Sequence, residues 1–170
     1  QEFMGLEFQV NEHVLIPRQD TETLVELVLS EHKEKNISLL DVCTGSGCIA
    51  ISLAKLGGYT DVTALDLSEE ALKVARSNGE KLLDQPVKFI KSDMFSALNP
   101  EKQYNVIVSN PPYIPSQVIE GLEPEVKDHE PRMALDCEPD GLKFYRILAE
   151  EGKKYLKNGG SIYMEIGWDQ

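Results

Sequence analysis

Ile37-Ser38-Leu39-Leu40-Asp41-Val42-Cys43-Thr44-Gly45-Ser46-Gly47 runs from a short apolar strand pattern straight into a glycine turn. A helical pattern follows, from Ser46 or Gly47 to Leu56, and Gly57-Gly58 closes it, because glycine takes the left-handed conformation that ends helices. The same alternation recurs downstream. Asp61 to Asp66 reads as a second strand. Ser68 is placed to cap a helix whose first turn carries Glu69 and Glu70, the charges a helix dipole favours there. Val87 to Ile90 and Tyr104 to Val108 are the third and fourth strands. A Pro-rich loop from Pro111 to about Pro139 leads to a helix over roughly 141–156, and Asn158-Gly159-Gly160 then turns the chain into a fifth strand, Ser161 to Ile166. Strands alternating with helices predict right-handed crossovers and a parallel sheet covered on both faces. The expected fold is therefore a doubly wound α/β domain with strand order 3-2-1-4-5, whose ligand crevice opens at the carboxyl ends of the first and fourth strands.

Upstream, Leu6 to Val10 and His13 to Ile16 alternate around Asn11-Glu12, which predicts a hairpin. Asp20 is expected to cap a helix reaching about His32, with Leu24, Val25 and Val28 as its buried stripe and Leu27 and Leu29 flanking it. The chain thus divides into a connecting hairpin, 1–18, and a ligand-binding domain, 19–170.

Composition bounds the chemistry. The 170 residues carry 29 acidic and 17 basic side chains, a formal net charge of −12, with no Lys/Arg run. Nucleic-acid grips draw most of their affinity from basic patches, so this balance argues against direct binding of DNA or RNA. No apolar run approaches the roughly 20 residues that span a bilayer, and the first residues lack a secretory pattern, so the cytoplasm is the expected compartment. Cys43, Cys48 and Cys137 cannot all pair with one another, and neither they nor the three histidines have metal-ligand spacing. No metal is expected.

Three motifs fall at the predicted crevice. In the first, Gly45 allows a tight turn and Gly47 lets the backbone approach a ligand, while the helix start offers N–H groups to an anion. Asp66, 19 residues after Gly47 at the end of the second strand, can accept from both hydroxyls of a ribose. Gly45-x-Gly47-x-x-Ala50 equally satisfies the dinucleotide pattern, which leaves NAD open at this level. In the second, Ser92-Asp93-Met94-Phe95, Asp93 can accept from an adenine amino group beside Met94 or Phe95, or simply cap a turn. The third, Asn110-Pro111-Pro112-Tyr113, follows the fourth strand. The residue before a proline is held extended, so Asn110 continues the strand line and presents its side chain at the mouth of the crevice. Its side-chain oxygen and the Pro111 carbonyl offer two acceptors to an N–H₂ group, and Tyr113 offers a flat face for a planar one.

The glycine turn, Asp66 and Asn110-Pro111-Pro112-Tyr113 resemble class I methyltransferases that modify amino or amide nitrogen. Val14-Leu15-Ile16-Pro17-Arg18, Thr21-Glu22, Glu130-Pro131, Ala134-Leu135, Asp140-Gly141-Leu142 and Glu165-Ile166-Gly167 narrow the resemblance to the HemK/PrmC family. These are methyltransferases of a glutamine side chain in peptide chain release factors. Two departures are visible. Gln19-Asp20 stands where the family commonly has Pro-Glu, and Cys43 stands where many methyltransferases have glycine. The resemblance implies S-adenosylmethionine as cofactor, with Cys43, Thr44, Gly45, Ser46 and Gly47 around its methionine end, Asp66 at the ribose, and Asp93 and Met94 at the adenine. It places Asn110, Pro111, Pro112 and Tyr113 at the substrate glutamine, with Asn110 also close to the cofactor and Asn110, Pro111 and Tyr113 in catalysis. It further implies a helical domain ahead of the hairpin and two more strands after the fifth. The expected partners are release factors, with neither nucleic acid nor membrane. Rival readings are an amino-methyltransferase of adenine or guanine in DNA or RNA, an NAD-dependent oxidoreductase, and a non-catalytic binding module.

Overall fold

A computed structural model describes residues 1–114, 141–168 and 170. A two-residue hairpin pairs β1 (Glu2–Phe3) with β2 (Leu6–Glu7). There follow α1 (Gln19–Glu31), β3 (Ser38–Val42), α2 (Cys48–Gly57), β4 (Asp61–Asp66), α3 (Glu69–Leu82), β5 (Lys88–Lys91) and β6 (Tyr104–Ser109). Beyond the residues left undescribed come α4 (Lys143–Gly152), a short 3₁₀ turn and β7 (Leu156–Met164). The five long strands form one sheet in the order β5-β4-β3-β6-β7, every neighbouring pair parallel. That is the expected doubly wound order, with its reversal between β3 and β6.

Period-two alternation explains why this sheet is covered on both sides. Leu39, Val62, Ala64, Val106 and Val108 point to one face, where they pack with Leu24, Val25 and Val28 of α1 and Ile49, Ala50 and Leu53 of α2. Leu40, Val42, Leu65 and Ile107 point to the other and meet Phe95, Tyr104 and Leu148 of α4. Each of the Val, Leu, Ile and Phe side chains among them, fully buried, contributes about 1.5–3 kcal/mol. Ser68 caps α3 as expected, its hydroxyl accepting from Ala71 N–H at 3.2 Å. None of the described helices is long and apolar enough to cross a membrane.

Four expectations are corrected. The hairpin lies over 2–7 rather than 6–16, because Met4 and Gly5 both take positive φ (52° and 71°) and form the tight turn. Residues 10–18 instead cross the sheet's carboxyl end without strand pairing. Asp20 lies inside the first turn of α1, and Arg18, without a side-chain cap bond, is the N-cap residue. The last helix ends at Gly152, and β7 begins at Leu156. Asn158-Gly159-Gly160 forms an irregularity inside β7: between the Tyr104–Leu156 and Val106–Ser161 pairs, β6 advances two residues and β7 five. The motifs at Glu130-Pro131, Ala134-Leu135 and Asp140, most of the Pro-rich loop, and Cys137 lie outside the described residues.

Gly45 and Gly47 have φ of 55° and 82°. A Cβ on Gly47 would stand 2.9 Å from the Ile51 side chain and 3.1 Å from Ala75 Cβ, whereas one on Gly45 would meet nothing within 4 Å. Left-handed strain alone costs about 1–2 kcal/mol. Gly47→Ala is therefore expected to destabilise the fold by on the order of 3 kcal/mol, and Gly45→Ala by only about 1–2. Denaturant unfolding of the two variants checks that order.

Candidate active site

The carboxyl ends of β3, β4, β5 and β6 open into one crevice of about 1040 Å³, a figure that takes in the solvent at its open mouth. Its first wall is the glycine turn. Thr44 N–H donates to Leu65 O at 2.9 Å and Gly47 N–H to Thr44 O at 2.9 Å, which curls the chain under α2. Cys43, with φ of 63°, makes the bend out of β3. Asp66 holds this turn to the next loop, since its Oδ2 accepts from Gly45 N–H at 2.8 Å and its Oδ1 from Ser68 N–H at 2.9 Å. Each carboxylate oxygen has a second lone pair, so Asp66 keeps acceptor capacity toward a ligand. Burial pushes its pKa up, and the backbone donors partly offset this.

Ser92, Asp93 and Met94 form a second wall, with Phe144 of α4 also lining the crevice. Ser92 N–H donates to Asp66 O at 2.9 Å, and Ser92 Oγ donates to Met94 O at 2.7 Å. Met94 sits at φ 48° with its sulfur 3.9 Å from the Cys43 thiol. Burial raises the pKa of Cys43 strongly and pushes that of Cys48 up to about 12. Neither thiol is a nucleophile near neutrality.

The third wall is the end of β6. Asn110 and Pro112 line the same crevice as Gly45 and Asp66. Pro111 is buried beside them, and Tyr113 stands just behind, its hydroxyl donating to Glu165 Oε1 at 3.4 Å. Burial and the Glu165 charge hold the Tyr113 phenol above its usual range. Asn110 Nδ2 donates to Thr21 Oγ1 at 3.2 Å, and Thr21 Oγ1 donates to Glu165 Oε2 at 2.6 Å. Of the residues expected at the site, Cys43, Thr44, Gly45, Ser46, Asp66, Asp93, Met94, Asn110 and Pro112 line the crevice, whereas Gly47, Pro111 and Tyr113 stand behind its lining.

The sequence alone missed several neighbours. His13, Val14, Leu15 and Pro17 form a further wall, the first three of them where a strand is expected. Asn78, fully buried in α3, donates to Ser46 O at 2.9 Å and to Gln9 O at 3.0 Å, joining the glycine turn to the N-terminal segment. Asp41 is also fully buried, and its Oδ2 accepts from Thr44 Oγ1 at 2.6 Å and from Ala50 N–H at 3.3 Å. Its signal was an acid inside an otherwise apolar strand.

The sequence profile described as the methyltransferase small domain matches residues 19–121. The chain belongs to that family. Among relatives of this methyltransferase domain, the release factor glutamine methyltransferase of Streptococcus pneumoniae is 46% identical over 169 residues, covering 99% of this chain and 60% of that protein. The protein of the same name from Bacteroides thetaiotaomicron is 47% identical over 167 residues, covering 97% and 59%. The chain therefore spans about 60% of the length of the curated relatives it matches. A methyltransferase from Pyrococcus furiosus, 21% identical, shares the fold with a TM-score of 0.66, over 95% of this chain and 69% of that one.

Burial raises the pKa of Asp41 from 3.8 to about 7, against the bonds from Thr44 and Ala50. The folded state therefore holds this proton more tightly than the unfolded chain. The stability it contributes is complete below pH 3.8 and is lost as pH rises through about 7. Asp41→Asn should flatten that slope: the wild type should lose stability relative to the variant by about 2–4 kcal/mol between pH 4 and pH 8. Paired urea melts across that range give the difference.

Proposed function

We propose that this domain binds S-adenosylmethionine in the crevice and transfers its methyl group to the side-chain amide nitrogen of a glutamine in peptide chain release factors. The observation that carries the reading is that the glycine turn, Asp66, Asn110 and Pro112 line one cavity, with Pro111 buried beside them and Tyr113 just behind. The names of the relatives support the same substrate class. Release factors act in the cytoplasm, and that is the compartment proposed.

The residues present fit the cofactor. Cys43 to Gly47 would surround its methionine end, Asp66 would use its spare lone pairs on the ribose hydroxyls, and Asp93 and Met94 would flank the adenine. Gly45 is the glycine that borders the crevice, where an added Cβ would meet no protein atom within 4 Å, whereas the expectation that Gly47 makes room for a ligand is corrected: a Cβ there would strike Ile51 and Ala75 of the fold itself. When bound, the cofactor supplies a methyl group already activated on a sulfonium.

The chain's own task is placement. An amide nitrogen is a weak nucleophile because its lone pair is delocalised into the carbonyl. Asn110 Oδ1 and the Pro111 carbonyl would accept the two amide N–H groups and fix the plane of the substrate. Tyr113 would support its flat face. Orientation of this kind contributes on the order of 7–11 kcal/mol in favourable cases. The proposed transfer is direct, and burial, which raises the pKa of Cys43 and Cys48, leaves neither thiol suited to form a covalent intermediate.

Asn110→Ala should lower methyl transfer by on the order of 100-fold while leaving cofactor affinity within a few-fold. Asp66→Ala should weaken cofactor binding by about 10- to 100-fold, the value of hydrogen bonds to a charged acceptor. Calorimetry with S-adenosylmethionine and with NAD, and radiolabel transfer by the complete gene product to release factor, tRNA and DNA, check these outcomes. Heat of binding from NAD alone, or label entering nucleic acid instead of protein, would overturn the reading.

A further inference from the structure

We infer that Thr21 and Glu165 are positioning residues that fix which end of the Asn110 amide faces the substrate. The inference rests on the reading above, in which Asn110 Oδ1 is an acceptor for the substrate N–H₂ group.

It follows from counting protons. A carboxylate can only accept hydrogen bonds, and a hydroxyl has one proton to give. Thr21 Oγ1 lies 2.6 Å from Glu165 Oε2, so its proton is committed there. Toward Asn110, 3.2 Å away on its other side, the Thr21 oxygen can then only accept. The group of Asn110 that faces Thr21 must be the N–H₂, and Oδ1 takes the opposite branch of the amide. An amide turned the other way would set two oxygens against each other with no proton between them. Two acceptors facing a substrate N–H₂ is the arrangement the proposed transfer needs, and an exposed asparagine N–H₂ would repel it.

Glu165 is itself held in place. Its N–H donates to Ser109 O at 3.0 Å, one residue before Asn110, and its carbonyl accepts from Tyr145 hydroxyl at 3.0 Å. Its second carboxylate oxygen accepts from Tyr113. One carboxylate therefore sets both the amide direction of Asn110, through Thr21, and the side chain of Tyr113. Thr21 is 2% exposed, so water does not compete for its hydroxyl.

The test compares Thr21→Val, Thr21→Ala, Thr21→Ser and Glu165→Ala in the complete gene product, with Asn110→Ala as reference. Thr21→Val, Thr21→Ala and Glu165→Ala should lower kcat for methyl transfer by about 10- to 100-fold, as small misplacements in a site do, with cofactor affinity and melting temperature close to wild type. Thr21→Ser restores the hydroxyl and should stay within about threefold of wild type, a rescue that lost packing alone would not give. If Thr21→Val fails to fold, the smaller Thr21→Ala carries the comparison. Wild-type kcat in the Thr21→Val and Thr21→Ala variants, or a Thr21→Ser variant as impaired as they are, overturns the inference when Asn110→Ala still shows its loss of about 100-fold. Absence of transfer by the wild type, or full activity of Asn110→Ala, instead overturns the underlying reading.

Discussion

Val42, Leu65 and Ser109 stand level with one another across three parallel strands. Everything at the crevice depends on that alignment. Parallel pairing in this register brings the loops that follow β3, β4 and β6 out side by side, at the point where the winding of the sheet reverses. The hydroxyl of Ser109, fully buried, donates to Val42 O at 2.6 Å and reinforces the junction between the two diverging halves. A one-residue slip of either neighbour would turn its apolar side chains to the wrong face of the sheet, so the hydrophobic pattern of the strands fixes the relative position of Gly45, Asp66 and Asn110. The site is a consequence of core packing before it is a consequence of its own hydrogen bonds.

The floor of the crevice is acidic. Asp66 and Asp93 line it; burial holds the Asp66 carboxyl above its usual range, burial together with the Asp66 charge raises Asp41, and Glu165 adds charge near Cys48 and Tyr113. Such a floor stores unfavourable electrostatic energy that a cationic group bound above it would offset. It also makes a phosphate-rich ligand a poor match, in line with the net charge of −12. The oxygens of Asp66 serve the fold and the proposed ligand together: one lone pair on each holds a loop N–H, and the remainder face outward.

Most of the fold was legible because its signals are local. The strand at Asp61–Asp66 matches its expected bounds, Ser68 caps where predicted, and the glycine turn follows β3. The errors have equally local causes. The hairpin was displaced because Met4 adopts a positive φ that its side chain does not advertise, and the Asn158-Gly159-Gly160 pattern of a turn is used instead as a bulge within β7. The candidate site was legible wherever a motif sits at a strand end. Glu165 and Arg18 are expected near the site without a role; what escaped was how the support behind it connects. Thr21 and Glu165 are 144 positions apart, Thr21 and Asn110 are 89 apart, and Gln9 and Asn78 are 69 apart. No periodicity in one sequence joins such residues. They meet only because the fold brings α1 beside the segments that follow β6 and β7, and the N-terminal segment beside α3.

The most direct measurement is a crystal structure of the protein with S-adenosylhomocysteine and a glutamine-containing release-factor peptide. The ribose should lie on Asp66, and the glutamine amide nitrogen should lie between Asn110 Oδ1 and the Pro111 carbonyl, facing the sulfur. A nucleoside bound away from Asp66, or a glutamine side chain that leaves Asn110 untouched, would contradict the shared crevice on which the proposed chemistry depends.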